Sequence, residues 1–142
     1  MATKPTTREQ ELERLDRSLT RLFRLIRTRD AGATGISPSQ RAVLRALEES
    51  PLQISEVAAT LGVTLSAATG LVDRMARNQL VERERDQADR RVVWVRLTDA
   101  GRQAARAAEE ERRRVLQEVF APLSDEELQT LASLLERART DL

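Results

Sequence analysis

Apolar positions change their period along this chain, and each change marks a predicted element. Leu12, Leu15, Leu19, Leu22 and Ile26 recur in steps of three and four, the seam of an amphipathic helix with heptad spacing. Phe23 and Leu25 widen the stripe. Residues 1–7 are expected to be disordered, with Thr6 or Thr7 as the cap and Glu9, Glu11 and Glu13 near the positive helix end. "DAGATG" (30–35) breaks this helix. Ser37-Pro-Ser-Gln40 is a capping box with Pro at the first helical position, and Val43, Leu44 and Leu47 carry the next helix towards Pro51. "QISEVAATLG" gives a short helix from about Ser55 to Leu61, stopped by Gly62. Thr64 caps a further helix running from Leu65 to about Asn78.

The period then drops to two. Residues 80–85 and 92–97 read as two strands, with Val93, Val95 and Leu97 alternating with Val92, Trp94 and Arg96. Thr98 caps a long helix from Asp99 to about Phe120, rich in Ala at 104, 105, 107 and 108, and Pro122 ends it. Ser124-Asp-Glu-Glu127 is a second capping box. The last helix carries Leu128, Leu131, Leu135 and Ala138, spaced three, four and three.

Composition narrows the chemistry. The 142 residues suit one domain, and with aromatics at 2% the core must be aliphatic. There is no Cys and no His. Thiolate nucleophiles, disulfides, zinc fingers and the commonest general base are therefore absent, and no cofactor or metal is expected. Glu82 and Glu84 offer a carboxylate pair, but they sit among arginines on a short strand with no phosphate loop or nucleophile elbow, so no enzyme is expected. No apolar signal region and no membrane-length apolar stretch occur, and the expected location is cytoplasmic. The net charge of +1 points to no polyanion. All basic residues but Lys4 are Arg, whose planar fork suits phosphates and guanine edges, although a codon bias produces the same excess. Placement must therefore decide.

Residues 54–78 fit a helix-turn-helix: Ala58 and Leu61 pack, Gly62 turns, Val63 plugs the corner, and a second helix starts at Thr64. A hairpin directly after it makes the unit a winged helix-turn-helix. Leu71, Val72 and Met75 form the inner stripe of the second helix. Its outer face shows Thr64, Ser66, Ala67, Thr69 and Gly70, a slim leading end that lets base edges approach, while Arg74 and Arg77 can reach phosphates. A small-residue helix packed on a neighbour has the same composition; the hairpin tips the balance. Its loop, "DQADRR" (86–91), places Arg90 and Arg91 at or beside the tip, suited to a narrow minor groove.

"LGVTLSAATGLVDRMARNQLVERERDQADRRVVWVRLTDAGR" (61–102) resembles the MarR family of bacterial transcription regulators. The matching pattern is the turn after "LGV", then "LVDRM", "LVERE", D-x-R and "LT-x-x-G". The resemblance implies a mainly α fold with a small β-hairpin wing: a winged helix-turn-helix plus a helical dimerisation region, in an obligate homodimer on a pseudo-palindromic site. It places recognition on Thr64, Ser66, Ala67, Thr69, Gly70 and Arg74, and the wing's Asp-x-Arg on Asp89 and Arg91. It also implies that Asp73 holds the wing through Arg91. Where the family carries Gly after the recognition helix, this chain has Gln79, and Asn78 is expected to take the left-handed conformation instead.

The expected organisation is a tail (1–7), an N-terminal dimerisation helix (8–35), the winged domain (36–98) and C-terminal dimerisation helices (99–142). The Leu12–Ile26 seam would pair with Leu128, Leu131 and Leu135 across a two-fold axis, although burial within one chain would also account for it. The expected partners are double-stranded DNA and a second copy, with an apolar or anionic aromatic effector as a further candidate and no membrane. The expected role is a repressor. The alternative is a winged-helix protein-interaction module without specific DNA binding.

Overall fold

A computed structural model of the chain describes residues 6–30 and 34–139. The elements in order are α1 (Thr7–Asp30), α2 (Pro38–Glu49), β1 (Leu52–Gln53), α3 (Ile54–Leu61), α4 (Leu65–Arg77), β2 (Val81–Arg85), β3 (Val93–Leu97), α5 (Asp99–Phe120) and α6 (Asp125–Arg139). They divide into two units. One spans Ala31–Glu111; the other joins Met1–Asp30 to Arg112–Leu142. The division falls inside α5, not at Thr98, because Ala104 and Ala105 of its first turns belong to the core of the winged unit.

Side-chain caps set most helix starts. Ser37 and Gln40 form the reciprocal box of α2, and Ser124 and Glu127 do the same for α6. The disordered N-terminus was expected to reach residue 7. Residues 1–5 lie outside the described residues, but Thr6 and Thr7 correct that expectation: Thr6 Oγ1 accepts from Glu9 N, Glu9 Oε2 accepts from Thr6 N, and α1 begins at Thr7. Of "DAGATG", residues 31–33 also lie outside; Asp30 is the last residue of α1, and Gly35 has φ +66°.

The winged unit encloses an aliphatic core. Val43, Leu44 and Leu47 of α2, Val57 of α3, Ala68, Leu71, Val72 and Met75 of α4, and Val81, Val95 and Leu97 of the sheet are all buried. The sheet has three antiparallel strands in the order β1-β3-β2, not the two expected. Leu52 and Gln53 pair with Val95 and Trp94 of β3. So short a strand has no period to betray it, and only its partner defines it.

Consecutive helices end in the same hydrogen-bond pattern, with different residues. After α3, Gly62 (φ +63°) donates to Ala59 O and Val63 N donates to Ala58 O. After α4, Gln79 N donates to Ala76 O and Leu80 N to Met75 O. Both are Schellman closures, which place the left-handed residue one position beyond the cap. That position is Gln79 (φ +61°), while Asn78 stays at φ −83°. The left-handed residue is thus Gln79, contrary to the expectation for Asn78. Val63 does not plug the corner; it is 43% exposed.

In the other unit, Arg112 of α5 donates to the buried Asp30 carboxylate at 3.2 Å, and Arg29 pairs with Glu118 at 3.4 Å. Ile26 and Val115 are buried. Further out, Leu12, Leu15, Phe23, Leu128 and Leu135 are exposed, while Leu19, Leu22 and Leu131 are half-buried.

Candidate nucleic-acid interface

The geometry of the interface starts at Thr64. It caps α4 with extended backbone (φ −68°, ψ 156°), its Oγ1 accepting from Ala67 N at 3.2 Å. Burial of Ala68, Leu71, Val72 and Met75 turns the opposite face outward. Thr64, Ser66, Ala67, Arg74 and Arg77 are exposed or partly so, and Thr69 and Gly70 are half-buried. The Thr69 hydroxyl donates to Leu65 O at 2.8 Å, leaving its oxygen as an acceptor. A Cβ at Gly70 would meet only Arg74 Nη1, at 3.7 Å. Nothing inside the protein requires glycine there.

The wing is built by register and by one aspartate. β2 and β3 pair from Val81↔Leu97 to Arg85↔Val93. Asp86 then organises the loop: Oδ1 accepts from Ala88 N at 2.8 Å and Asp89 N at 3.0 Å, and Oδ2 accepts from Trp94 Nε1 at 2.9 Å. Asp86 N donates to Val92 O, and Val92 N to Asp89 O. The Trp94 hydrogen bond, with the two backbone donors, holds the Asp86 carboxyl below its ordinary range. Sequence reading missed this role, although a lone Trp on a short strand signals an indole N–H in need of an acceptor.

Asp89 grips Arg91. Its Oδ1 accepts from Arg91 N and Nε at 3.0 and 3.1 Å, and its Oδ2 from Nη2 at 3.2 Å. The Arg91 side chain lowers the Asp89 pKa, with its backbone N–H as the second cause. Arg90 is exposed beside this fork.

Asp73 does connect α4 to the wing, but not through Arg91. Its Oδ1 lies 2.7 Å from Arg83 Nη2, on β2. This corrects the expected Asp73–Arg91 pairing. Arg91 is captured by a carboxylate two residues away, whereas Arg83 is the strand residue brought to Asp73. A groove of about 300 Å³ runs between the leading end of α4 and the wing, lined by Ser55, Leu65, Thr69, Arg83 and Arg91 among others.

The end of α4 is also tied to α5. Thr98 Oγ1 donates to Gln79 O at 2.5 Å and accepts from Gly101 N at 2.9 Å, while Thr98 N donates to Leu80 O at 3.2 Å. This is what the "LT-x-x-G" stretch builds. Among the described residues no group of three or more potential ligands is placed to hold a metal, and no single helix is long and apolar enough to cross a membrane.

A capped helix-turn-helix with a three-stranded sheet and a braced hairpin directly after it defines a winged helix-turn-helix protein. Comparisons with known proteins specify the kind. The MarR family model matches residues 34–92. The HTH-type transcriptional regulator YsmB of Bacillus subtilis (strain 168) is 30% identical over 90% of this chain and 88% of its own length. The HTH-type transcriptional repressor MdtR of the same organism is 31% identical over 75% and 72%. A MarR family protein from Bacillus stearothermophilus superposes with a TM-score of 0.78 at 32% identity, covering 98% of both chains. The chain belongs to the MarR family, and these two curated relatives carry the names of HTH-type transcriptional regulators.

Proposed function

We propose that this chain is a sequence-specific regulator that binds double-stranded DNA as a homodimer, on a pseudo-palindromic operator, and acts in the cytoplasm as a repressor. The observation that carries the reading is the slim exposed face of α4, held to the wing by the Asp73–Arg83 pair. Thr64, Ser66, Ala67, Thr69 and Gly70 would approach base edges, with Arg74 and Arg77 on phosphates. Asp89 presents Arg91, and Arg90 stands beside it, for the minor groove. The acid on this helix, Asp73, is neutralised by Arg83, so the face does not carry the negative charge that a protein-interaction module without DNA binding would favour.

Dimerisation is supported by the apolar side chains that one copy leaves open. Leu12 is 54%, Leu15 51% and Leu135 49% exposed, on terminal helices whose seams also hold Leu19, Leu22, Ile26, Leu128 and Leu131. Ile26 is covered within its own chain. Residues 8–35 and the part of 99–142 beyond Glu111 would serve association, and 36–98 together with the first turns of α5 would serve DNA. The repressor role draws on the likeness to MdtR, itself a transcriptional repressor. An apolar or anionic aromatic effector finds room in a concavity of about 510 Å³ on the winged unit, lined by Ala42, Ala46 and Leu52 with Arg41 and Arg45 as its cations and Glu49 and Glu109 as its acids.

The test is an electrophoretic shift against selected duplexes at several salt concentrations. Replacing Arg90 and Arg91 together by Ala should leave folding and dimerisation intact. It should weaken operator binding and lower the log–log salt slope by about 1 for each phosphate that is no longer neutralised. Wild-type affinity and slope in the double variant would remove the wing from the reading.

A further inference from the structure

Leu65 is the first residue of α4, immediately after the Thr64 cap, and it is 58% exposed. The other large apolar side chains of the helix, Leu71, Val72 and Met75, are buried. A first helical turn favours acids, which complement the positive helix end. The α1, α3, α5 and α6 helices each carry at least one there; α2, which opens on Pro38, and α4 have none. In place of a carboxylate, α4 opens with an apolar side chain that the rest of the protein leaves largely uncovered.

What surrounds Leu65 restricts what can cover it. It borders the groove shared with Thr69, Arg83 and Arg91. Both guanidiniums have carboxylate partners, Asp73 and Asp89, which hold them in place. The Thr69 hydroxyl proton is turned back onto the Leu65 carbonyl. The arrangement is an exposed apolar side chain at the tip of a helix, beside a groove that also holds Ile54, Val92 and Val93 and is flanked by two carboxylate-held cations, with no acid in the turn to repel a phosphate. In the major groove of DNA, the aliphatic group on a base edge is the C5 methyl of thymine.

We propose that Leu65 is a specificity-determining residue that packs on a thymine C5 methyl in each half-site. The inference rests on the DNA-binding reading above and deepens it, adding an apolar reader to a face otherwise composed of hydroxyls and small residues. Leu65 supplies methyl groups at the leading end of the recognition helix, the part of such a helix that meets base edges.

The experiment uses the full chain and operators selected from randomised duplexes. Each thymine is replaced in turn by deoxyuridine, which removes the C5 methyl and keeps the pairing. At one or two positions per half-site, wild-type affinity should fall about fourfold, the worth of one buried methyl group. Leu65→Ala should bind the thymine operator more weakly and show no further loss at those positions. Leu65→Met should retain the sensitivity, because it keeps apolar reach. Unchanged thermal unfolding of both variants is expected from so exposed a site. If wild type tolerates deoxyuridine everywhere, or if Leu65→Ala remains as sensitive as wild type, the inference is overturned while DNA binding stands. If wild type selects no duplex at all, the DNA-binding reading itself falls.

Discussion

Gly101, in the first turn of α5, packs against the carbonyl of Leu80, so closely that a Cβ at position 101 would lie 1.9 Å from that oxygen. The close approach fixes where α5 leaves the sheet, because Thr98 ties the same two segments together through Gln79 O and Gly101 N. Gly101→Ala forces backbone apart. It should destabilise the chain by about 3 kcal/mol, at the upper end of the usual cost of overpacking, read as a lower urea midpoint. A midpoint within error of wild type would show that the two segments move apart freely.

Gly70 predicts the opposite sign. Its Cβ position is open except for the end of the Arg74 side chain, and Gly within a helix costs about 1 kcal/mol relative to Ala. Gly70→Ala should therefore raise thermal stability while lowering operator affinity, because the added methyl stands on the face offered to bases. Chemical denaturation and an electrophoretic shift on one preparation check both halves. Raised stability with unchanged affinity would place DNA elsewhere.

At Gln79 the chain holds an L-residue in the left-handed region, which costs about 1–2 kcal/mol relative to a right-handed conformation. Gln79→Gly removes that cost and keeps the backbone bonds to Ala76 and Met75. The expected gain is about 1 kcal/mol, less than the full cost because Gly loses more entropy on folding. Equilibrium unfolding in urea, with an unchanged m-value, is the measurement.

The wing carries its own pH response. Asp86 is held below its ordinary range, first by Trp94. A carboxylate with a depressed folded pKa contributes stability above its unfolded value, and the contribution is lost as pH falls through the folded value. Trp94 is the chain's only Trp, so its fluorescence reports this loop. Emission should hold steady from neutral pH down to the ordinary aspartate range, about 3.9 for a free side chain, and shift below it. Asp86→Asn should flatten the response. A wild-type transition that merely follows loss of helical circular dichroism would assign it to global unfolding.

Association is testable without disturbing the winged core. Leu15 and Leu135 are about half exposed in a single copy. Leu15→Asp with Leu135→Asp should shift sedimentation from dimer towards monomer at micromolar concentration. Because a monomer engages only one half-site at a time, DNA affinity should fall with the dimer. A wild-type chain already sedimenting as a monomer would overturn the homodimer proposal.

Much of this was legible in the chain. Helix starts at Ser37, Thr64, Thr98 and Ser124 were readable because a capping side chain and its backbone partner lie within three residues. The inner stripe of α4, Leu71, Val72 and Met75, was readable from a period that only one helix face satisfies. The same kind of period showed β2 and β3 on either side of a polar loop. Such features depend on neighbours in sequence, and the chain alone determined them.

Tertiary structure decided the rest, wherever one group had rival partners or a segment was too short to have a period. Asp73 was expected to meet Arg91; strand register brings Arg83 to it instead, and Asp89 engages Arg91 locally. Leu52 and Gln53 became a strand only because β3 had an open edge. Gln79, not Asn78, took the left-handed conformation because closure of α4 onto Met75 and Ala76 fixes which position must turn, and composition says nothing of that position. Gly101 looked like one letter of a motif until the Leu80 carbonyl stood against it. Each of these is a choice among partners, most of them distant in sequence, made by packing geometry that local periodicity and capping do not encode.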